Sequence, residues 1–244
     1  DLKIIWDDGL NVCGNPAPVV DEDTGDIHLL STWNHGADHE SRIIDETSKF
    51  TREVYHIVST DDGDNWSIPR NITKTTKLPN WTWYATGPVH GIQMKKTATK
   101  GRLIIPCDHI ESKTKKYFSH IIYSDDHGKT WELGGTTPMD QVNECTIAEL
   151  ENGDLLLNMR NYERKDSQSR QVAISRDGGL SWEDQRIDVS LPEPRCQGAM
   201  LNIERNGKNV LLFTNPAHLS SRVNMTLSIS RNNGDSWNEK VTIF

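Results

Sequence analysis

A short motif recurs four times along this sequence, and its spacing limits the folds open to the chain. The copies are Ser59–Trp66, Ser124–Trp131, Ser175–Trp182 and Ser230–Trp237. They share the pattern Ser-x-Asp-x-Gly-x-(Ser/Thr/Asn)-Trp, with Asn in place of Asp in the last copy. Copies separated by roughly 50–65 residues indicate a chain built from similar modules.

The residue types of the motif indicate a turn between two β-strands. Each copy follows a strand-like run, such as Glu53–Val58 before the first. A short Asp or Asn side chain can accept hydrogen bonds from nearby backbone N–H groups, and Gly accepts a positive φ. Short β-branched runs dominate the rest of the sequence, and helical periodicity is hard to find. Modules of about four short strands each predict an all-β fold, a β-propeller.

The composition fits a folded protein and excludes some classes of partner. A chain of 244 residues with 34% hydrophobic residues can bury a sizeable core. The formal net charge of −8, without a basic stripe, argues against nucleic acid as a partner. No stretch is long and apolar enough to span a membrane. The four cysteines, Cys13, Cys107, Cys145 and Cys196, form no C-x-x-C pair, so zinc is not predicted.

Several further segments make a family resemblance specific. They are Asn15–Pro18, Asn143–Cys145, Leu157–Arg160, Arg195–Gly198 and Asn215–His218. Together with the four motifs, which that family calls Asp boxes, they resemble the catalytic domain of bacterial and animal sialidases (neuraminidases). The resemblance covers essentially all 244 residues. It implies a six-bladed β-propeller of the sialidase type, of which residues 1–244 form one partial domain of about four blades.

Two arginines are candidates for binding an anionic sugar. Arg160 ends the apolar run Asp154–Met159, and Arg222 lies in a loop just before a strand. Taken alone, either is more often a solvated surface charge. Sialic acid carries a carboxylate on its anomeric carbon, and the planar fork of Arg can donate two hydrogen bonds to one carboxylate. The resemblance makes both residues part of the family's carboxylate clamp.

Glu144 is the candidate catalytic residue. It precedes the strand-like run Cys145–Ala148, and by itself it reads as an exposed carboxylate at the end of a strand. The resemblance makes it the buried glutamate that accepts a proton from a catalytic tyrosine. A neutral phenol, with a pKa of about 10, is a poor nucleophile without such a base. Sialidases use this tyrosine where most glycosidases use a second carboxylate.

Two more acidic residues are candidates for contacting the sugar. Glu40 lies in a polar loop between two strands, where the family often has an acidic residue that contacts the substrate. Asp108 follows the strand that ends at Pro106, where family members contact the glycerol and N-acetyl groups. An ordinary loop charge is the alternative for Glu40. Trp81, Trp83 and Tyr84 could face a sugar, but packing between blades is the preferred interpretation.

The sequence also departs from the family pattern. It has no Arg-Ile-Pro segment for the first clamp arginine and no segment that matches the acid/base aspartate. The catalytic tyrosine of the family lies beyond the last residue. Residues 1–5 and 239–244 both read as the strand that follows a motif. We therefore interpret the chain as an internal fragment, and predict that it is inactive by itself.

The implied function is hydrolysis of terminal α-linked sialic acids from glycoconjugates, with retention, by an exo-α-sialidase. No organic cofactor and no metal are implied, the partners are sialylated glycans, and a secreted or periplasmic location is favoured. One alternative is a non-catalytic carbohydrate-binding or interaction propeller, because the motifs stabilise hairpins and do no chemistry. Another is a glycosidase with the same motifs acting on a different sugar, which would have no need of the arginine clamp.

Overall fold

The computed structural model describes residues 2–205 and 207–244, which form β-strands joined by loops, with two short helices. In chain order the strands are β1 (Val12–Val20), β2 (Ile27–Asn34), β3 (Glu53–Ser59), β4 (Arg70–Asn71), β5 (Trp81–Thr86), β6 (Ile92–Gln93), β7 (Leu103–Glu111), β8 (Tyr117–Ser124), β9 (Glu132–Thr136), β10 (Val142–Glu149), β11 (Leu155–Asn161), β12 (Ser169–Ser175), β13 (Glu183–Pro192), β14 (Ala199–Arg205), β15 (Lys208–Pro216), β16 (Met225–Ser230) and β17 (Glu239–Thr242). The helices are α1 (Glu40–Ile44) and α2 (Thr73–Thr76). No helix in this described part is long and apolar enough to cross a membrane.

The strands form four antiparallel sheets, which are four blades of a β-propeller. Blade 1 contains β1–β4, blade 3 contains β10–β13, and blade 4 contains β14–β17. Blade 2 has the order β5-β7-β8-β9, and the short β6 pairs with β7 as a fifth strand. Each blade is thus a meander of four strands in chain order, apart from β6, which lies between β5 and β7 in sequence and pairs with β7 alone. The all-β class, the propeller and the four modules predicted from the repeats are confirmed.

The hydrophobic core lies between adjacent blades, in three clusters. Blades 1 and 2 enclose a cluster that includes Leu30, Leu103 and Trp131, and blades 2 and 3 enclose one that includes Trp182. The cluster between blades 3 and 4 includes Trp237. A flat sheet can bury its second face only against another sheet, so each blade needs a neighbour. The tryptophans of the second, third and fourth motifs therefore pack against the preceding blade as well as beside their own turn.

All four motifs form the turn between the third and fourth strands of a blade, tied by their own side chains. In the second copy the Ser124 hydroxyl donates to Asp126 Oδ1 at 2.8 Å and accepts from the Gly128 N–H at 2.9 Å. Asp126 also accepts from the Thr130 N–H at 2.8 Å and from the Thr130 hydroxyl at 2.7 Å. Gly128 has a φ of 74°, in the left-handed region that favours glycine. The sequence interpretation of a tied hairpin matches these contacts.

The fourth copy shows why Asn can replace Asp. Asn232 Oδ1 accepts from the Ser230 hydroxyl at 2.9 Å and from the Ser236 N–H at 3.0 Å, as the aspartates do. Its Nδ2 donates to the Ser236 hydroxyl at 3.0 Å, because a hydroxyl can accept where it would otherwise donate. An amide therefore satisfies the turn as completely as a carboxylate.

We expect Asp126→Ala to lower the free energy of unfolding by about 1–2 kcal/mol, because it removes three hydrogen bonds from a turn that is partly exposed. Asp126→Asn is expected to cost less than about 0.5 kcal/mol, because Asn232 serves in the same position of another blade. Urea unfolding of the two variants measures the difference. Equal losses for Ala and Asn would contradict this account of the motif.

The predicted terminal strands are correct at one end of the chain only. Glu239–Thr242 forms β17, paired with β16. Leu2–Ile5 is exposed and forms no strand, and Asp1 lies outside the described residues. A strand requires a hydrogen-bonded neighbour, whereas the Lys3 side chain binds the first motif through an ion pair with Asp64 at 2.9 Å.

Candidate functional site

One end of the propeller gathers most of the candidate residues. Because neighbouring strands are antiparallel, the start of each first strand and the loop after each second strand lie at the same end of a blade. The four motifs follow the third strands and therefore lie at the opposite end. The candidate site and the repeated turns are thus separated by the length of the blades.

Irregular pairing occurs near the start of the first strand in blades 1, 2 and 3. The register shifts between Gly14 and Ala17 in β1, between Trp81 and Tyr84 in β5, and between Val142 and Cys145 in β10. A bulge leaves residues out of the regular ladder and redirects their side chains. The residues placed there are Asn15, Trp83 and Glu144, so the same local irregularity presents a side chain from each of three blades.

Glu144 and Arg160 form the centre of the site. Arg160, in β11, donates to Glu144 Oε2 at 2.6 Å, and the two side chains are 19% and 20% exposed. Burial is the largest single influence and lowers the pKa of Arg160, but the hydrogen bond to Glu144 and the charges of Tyr162, Glu144 and Glu193 together outweigh it, and the pKa is raised. The Arg160 Nε is buried without a hydrogen-bond partner. The side chain is partly exposed, and among the described residues its one side-chain hydrogen bond goes to Glu144, so other N–H donors of the guanidinium remain for a second anion. The sequence interpretation placed Glu144 before a strand, whereas it lies within β10 at the bulge.

Asp108 lies within β7 and is fully buried, not after the strand end as the sequence interpretation had it. Nearly every residue of β7 is buried, so the strand has no alternation of buried and exposed positions. The end of the strand therefore could not be recognised from the sequence. Its Oδ1 accepts from Asn143 at 2.6 Å, and its Oδ2 is buried without a partner. Burial first, and then the charge of Glu144, raise the pKa of Asp108 well above its ordinary value, against the opposing charges of Arg52 and Arg160.

Arg52 is a site residue that the sequence interpretation missed. It is 3% exposed, it donates to Asn15 Oδ1 and to the Thr32 hydroxyl, and its guanidinium lies 3.8 Å from the centre of the Trp83 ring. Burial lowers its pKa to about 10, although the charges of Asp108 and Glu40 raise it. The sequence contained no signal for Arg52, because a single Arg before a strand is common.

Glu40 is exposed and begins the short helix α1, where the sequence predicted a loop. The helix follows the second strand of blade 1, at the same end as Arg160. The charge of Glu40 contributes to raising the pKa values of Arg52, Asp108 and Tyr162, so its carboxylate lies close enough to act on the cluster. The structure therefore brings Glu40, Asp108, Glu144 and Arg160 into one electrostatic unit.

Arg222 lies at the same end of the blades. It is exposed in the loop between β15 and β16, and within residues 2–205 and 207–244 it forms no hydrogen bond or ion pair. The loop is shaped by His218, whose Nδ1 accepts from the Ser221 N–H at 2.9 Å. No contact in the described structure tests its role as a clamp residue, which stays a prediction.

Two tyrosines border the cluster and were also missed. Tyr162 follows β11, and the guanidinium of Arg160 lies 5.0 Å from the centre of its ring. Tyr117, at the start of β8, stacks on Tyr162 with ring centres 5.3 Å apart. A usable signal existed for Tyr162, because residues two apart on a strand share a face, and Arg160 was already a candidate. Trp81 and Tyr84 are buried, in agreement with the packing interpretation, while Trp83 faces Arg52.

Among the described residues, one group could hold a metal ion. Asp21, Asp23 and His127 each place one ligand atom within 4.8 Å of the others. Asp21 already accepts from His127 at 2.7 Å and from Gln93 at 2.9 Å. Asp21 follows the last residue of β1, whereas Asn15 lies near the start of that strand. The group is therefore at the other end of the blade from the cluster around Arg160.

Comparison with known proteins gives relatives of one kind. The chain is 34% identical over 238 residues to a sialidase of Bacteroides fragilis, covering 94% of this chain and 42% of that protein. It is 30% identical to human sialidase-4, covering 80% of this chain and 42% of that protein. The solved structure of the Hadza microbial sialidase Hz136 superposes with a TM-score of 0.85 at 32% identity, over 96% of this chain and 46% of that one. The chain thus spans less than half the length of these relatives.

A model of the BNR repeat-like domain matches residues 3–244. The match covers the four blades, the repeated turns and the cluster around Arg160 together. The resemblance inferred from the sequence is therefore confirmed, and this chain belongs to the BNR repeat-like domain family, with sialidases among its relatives.

Proposed function

We propose that this protein is an exo-α-sialidase, which hydrolyses terminal α-linked sialic acids from glycoconjugates with retention of configuration. The observation that supports this most is the pairing of Arg160 with Glu144, in which the guanidinium, 19% exposed, makes no other side-chain hydrogen bond among the described residues. The relatives named above are sialidases. An unfilled donor on a partly buried guanidinium is what an anionic substrate requires.

In this proposal Arg160 and Arg222 bind the carboxylate of the sugar. Glu144 then accepts the proton of a tyrosine nucleophile, which the resemblance does not place within these 244 residues. A tyrosine that loses its proton only during attack brings no anion toward the substrate carboxylate before the reaction. Glu40 contacts the polar groups of the sugar, and Asp108, proposed for the same role, is fully buried and acts through its hydrogen bond with Asn143. The proposed substrates are sialylated glycans.

We expect Glu144→Gln to lower kcat by about 10²–10³-fold, because the amide keeps the shape and can still accept from Arg160 but cannot take a proton. Cleavage of a fluorogenic sialoside by the intact protein measures this. The matched control is Glu239→Gln, which removes a carboxylate from an exposed Arg231–Glu239 pair beside the fourth motif.

The outcome separates the proposal from its alternatives. An intact protein that binds a sialic-acid transition-state analogue but shows no turnover would be a carbohydrate-binding propeller. Turnover of other glycosides but not of sialosides would indicate a glycosidase of another substrate class. Loss of kcat in Glu144→Gln with little change in analogue binding is the result that supports a catalytic proton acceptor.

A further inference from the structure

The strand that carries Arg160 loses its regular pairing at that residue. The ladder between β11 and β12 ends at Met159. On the other side of β11, the pairing with β10 shifts register between Val142 and Cys145. Arg160 therefore lies beside an irregularity on each side, and the ladders alone do not fix its backbone.

A buried carboxylate supplies a contact where the ladder has ended. Glu193 is fully buried and follows β13 directly. Its Oε1 accepts from the N–H of Asn161, the residue after Arg160, at 3.1 Å. Its Oε2 accepts from the Cys196 N–H at 2.8 Å. A backbone N–H that has left a ladder needs another acceptor, and a carboxylate is a strong one. Glu193 thus joins the end of β11 to the loop that leads into blade 4.

Arg164 fixes the position of this carboxylate. Its Nη2 donates to Glu193 Oε1 at 2.8 Å, and its Nη1 donates to the Glu193 carbonyl oxygen at 3.0 Å. The planar fork of a guanidinium sets the two acceptors relative to each other. The charge of Glu193 also reaches the site. Burial is the largest influence on the pKa of Arg160 and lowers it, whereas the charge of Glu193 is among those that raise it.

The proposed role of Arg160 demands accurate placement. Its guanidinium donates to Glu144 at 2.6 Å, and in the proposed function it binds the carboxylate of the sugar as well. Both contacts depend on where the backbone of residues 160 and 161 lies. A displacement of about 1 Å at a reacting site can cost about 10²-fold in rate.

We propose that Glu193 is a positioning residue for the arginine that binds the substrate. It acts through the backbone of Asn161 and holds the Arg160 guanidinium where it can contact Glu144 and the carboxylate of the sugar together. The inference rests on the proposed function, and it concerns a residue that acts through another.

Glu193→Gln tests this in the intact protein, because the amide keeps the size of the side chain but offers one acceptor oxygen where the carboxylate offers two. The N–H of Asn161 or of Cys196 then loses its partner. We expect KM for a fluorogenic sialoside to rise about five- to twentyfold and kcat to fall less than about threefold, since a displaced clamp weakens binding of substrate and transition state alike. The dissociation constant of a sialic-acid transition-state analogue should rise by the same factor as KM. A purely structural role would reduce the amount of folded protein, which lowers the apparent kcat and leaves KM unchanged.

Arg164→Lys carries the test if Glu193→Gln does not fold. A lysine keeps the positive charge beside Glu193 but cannot bind its carboxylate and its carbonyl oxygen as a fork. We expect KM to rise about two- to fivefold, with kcat within about twofold of the unaltered protein. An unchanged KM in this variant would then overturn the inference.

Glu149→Gln is the matched control, because Glu149 is a second buried carboxylate that accepts from two backbone N–H groups. It is 9% exposed, and it accepts from the N–H of Lys95 at 2.7 Å and of Lys96 at 2.9 Å. It ends β10, in the same blade as Arg160 but at the end where the motifs lie, so its loss should leave KM unchanged.

The outcomes separate this inference from the proposed function. If the unaltered protein cleaves the sialoside and Glu193→Gln keeps its KM, the inference is overturned alone. An equal rise of KM in Glu193→Gln and Glu149→Gln also overturns it, because the effect would then come from general loss of stability in the blade. If the unaltered protein neither cleaves the sialoside nor binds the analogue, the proposed function fails and the inference fails with it.

Discussion

Arg160→Ala is expected to lower kcat/KM for a sialoside by about 10²–10³-fold. The change removes the guanidinium that binds the substrate carboxylate in the proposed reaction, and it leaves Glu144, only 20% exposed, without its cation. Truncating one partner of a buried, hydrogen-bonded charge pair costs about 2–5 kcal/mol, and each 1.4 kcal/mol is a factor of about ten. Steady-state kinetics on the intact protein measures the loss.

A second variant separates binding geometry from charge. Arg160→Lys keeps the positive charge but loses the planar fork, so we expect it to recover only part of the activity. Arg231→Ala breaks an exposed pair with Glu239 and serves as the control for removal of an arginine. If Arg160→Ala stays within tenfold of the unaltered protein while the protein remains folded, Arg160 is not the clamp.

Lowering the pH from about 7 to about 5.5 is expected to reduce the free energy of unfolding by about 3 kcal/mol: buried histidines lower it by up to about 5 kcal/mol, and buried Asp108, whose pKa is raised, offsets up to about 2 kcal/mol of this loss. Four buried histidines are the cause, each at most 4% exposed: His28, His56, His109 and His120. Burial lowers the pKa of all four, to about 3 for His56 and His120. The unfolded chain binds these protons below about pH 6.5, so stability is complete above that pH and declines below it.

The hydrogen bonds at one of the two histidine pairs show why the rings stay neutral. The guanidinium of Arg70 can only donate, so His56 Nδ1 accepts from it at 3.0 Å. His56 Nε2 then donates to His28 Nδ1, at 2.9 Å. Protonating His28 at Nδ1 would place a second hydrogen between this atom and His56 Nε2, whose own hydrogen already points at it. His109 and His120 form a similar contact at 3.0 Å between the blade 2 strands β7 and β8.

Urea unfolding across this pH range measures the effect. His56→Gln is expected to reduce the slope of stability against pH by about one proton. The aspartates of the motifs have lowered pKa values, so they contribute to acid sensitivity only below about pH 4 and do not confuse the result. Constant stability between pH 7 and 5.5 would contradict the assignment of neutral rings.

Part of the site could be predicted from the sequence and part could not. Arg160 and Glu144 stood in segments with a strong family resemblance, and the structure joins them at 2.6 Å. Arg52 and Tyr117 stood in ordinary surroundings, so no local pattern distinguished them. Asp108 was a candidate, but its full burial could not be predicted from the sequence. A strand that is buried on both faces shows no alternation of apolar and polar residues, so its end cannot be recognised.

The sequence by itself determined the structure of the repeated turn and the number of its copies. Ser, Asp, Gly and a hydroxyl or amide residue act on each other within seven positions, so the turn is a local property that can be read from the chain. Four such turns at blade spacing then required four antiparallel sheets. Local hydrogen bonds and turn geometry need no distant partner.

Only the tertiary structure decided which side chains meet. The contact of Glu144 with Arg160, the burial of Arg52 against Trp83, and the stacking of Tyr117 on Tyr162 join different strands or different blades. Such contacts depend on how the sheets pack around a common axis and on where each first strand bulges. They also set the charges at the site, because burial and neighbouring ions, not residue type, raise the pKa of Asp108 and lower that of Arg52.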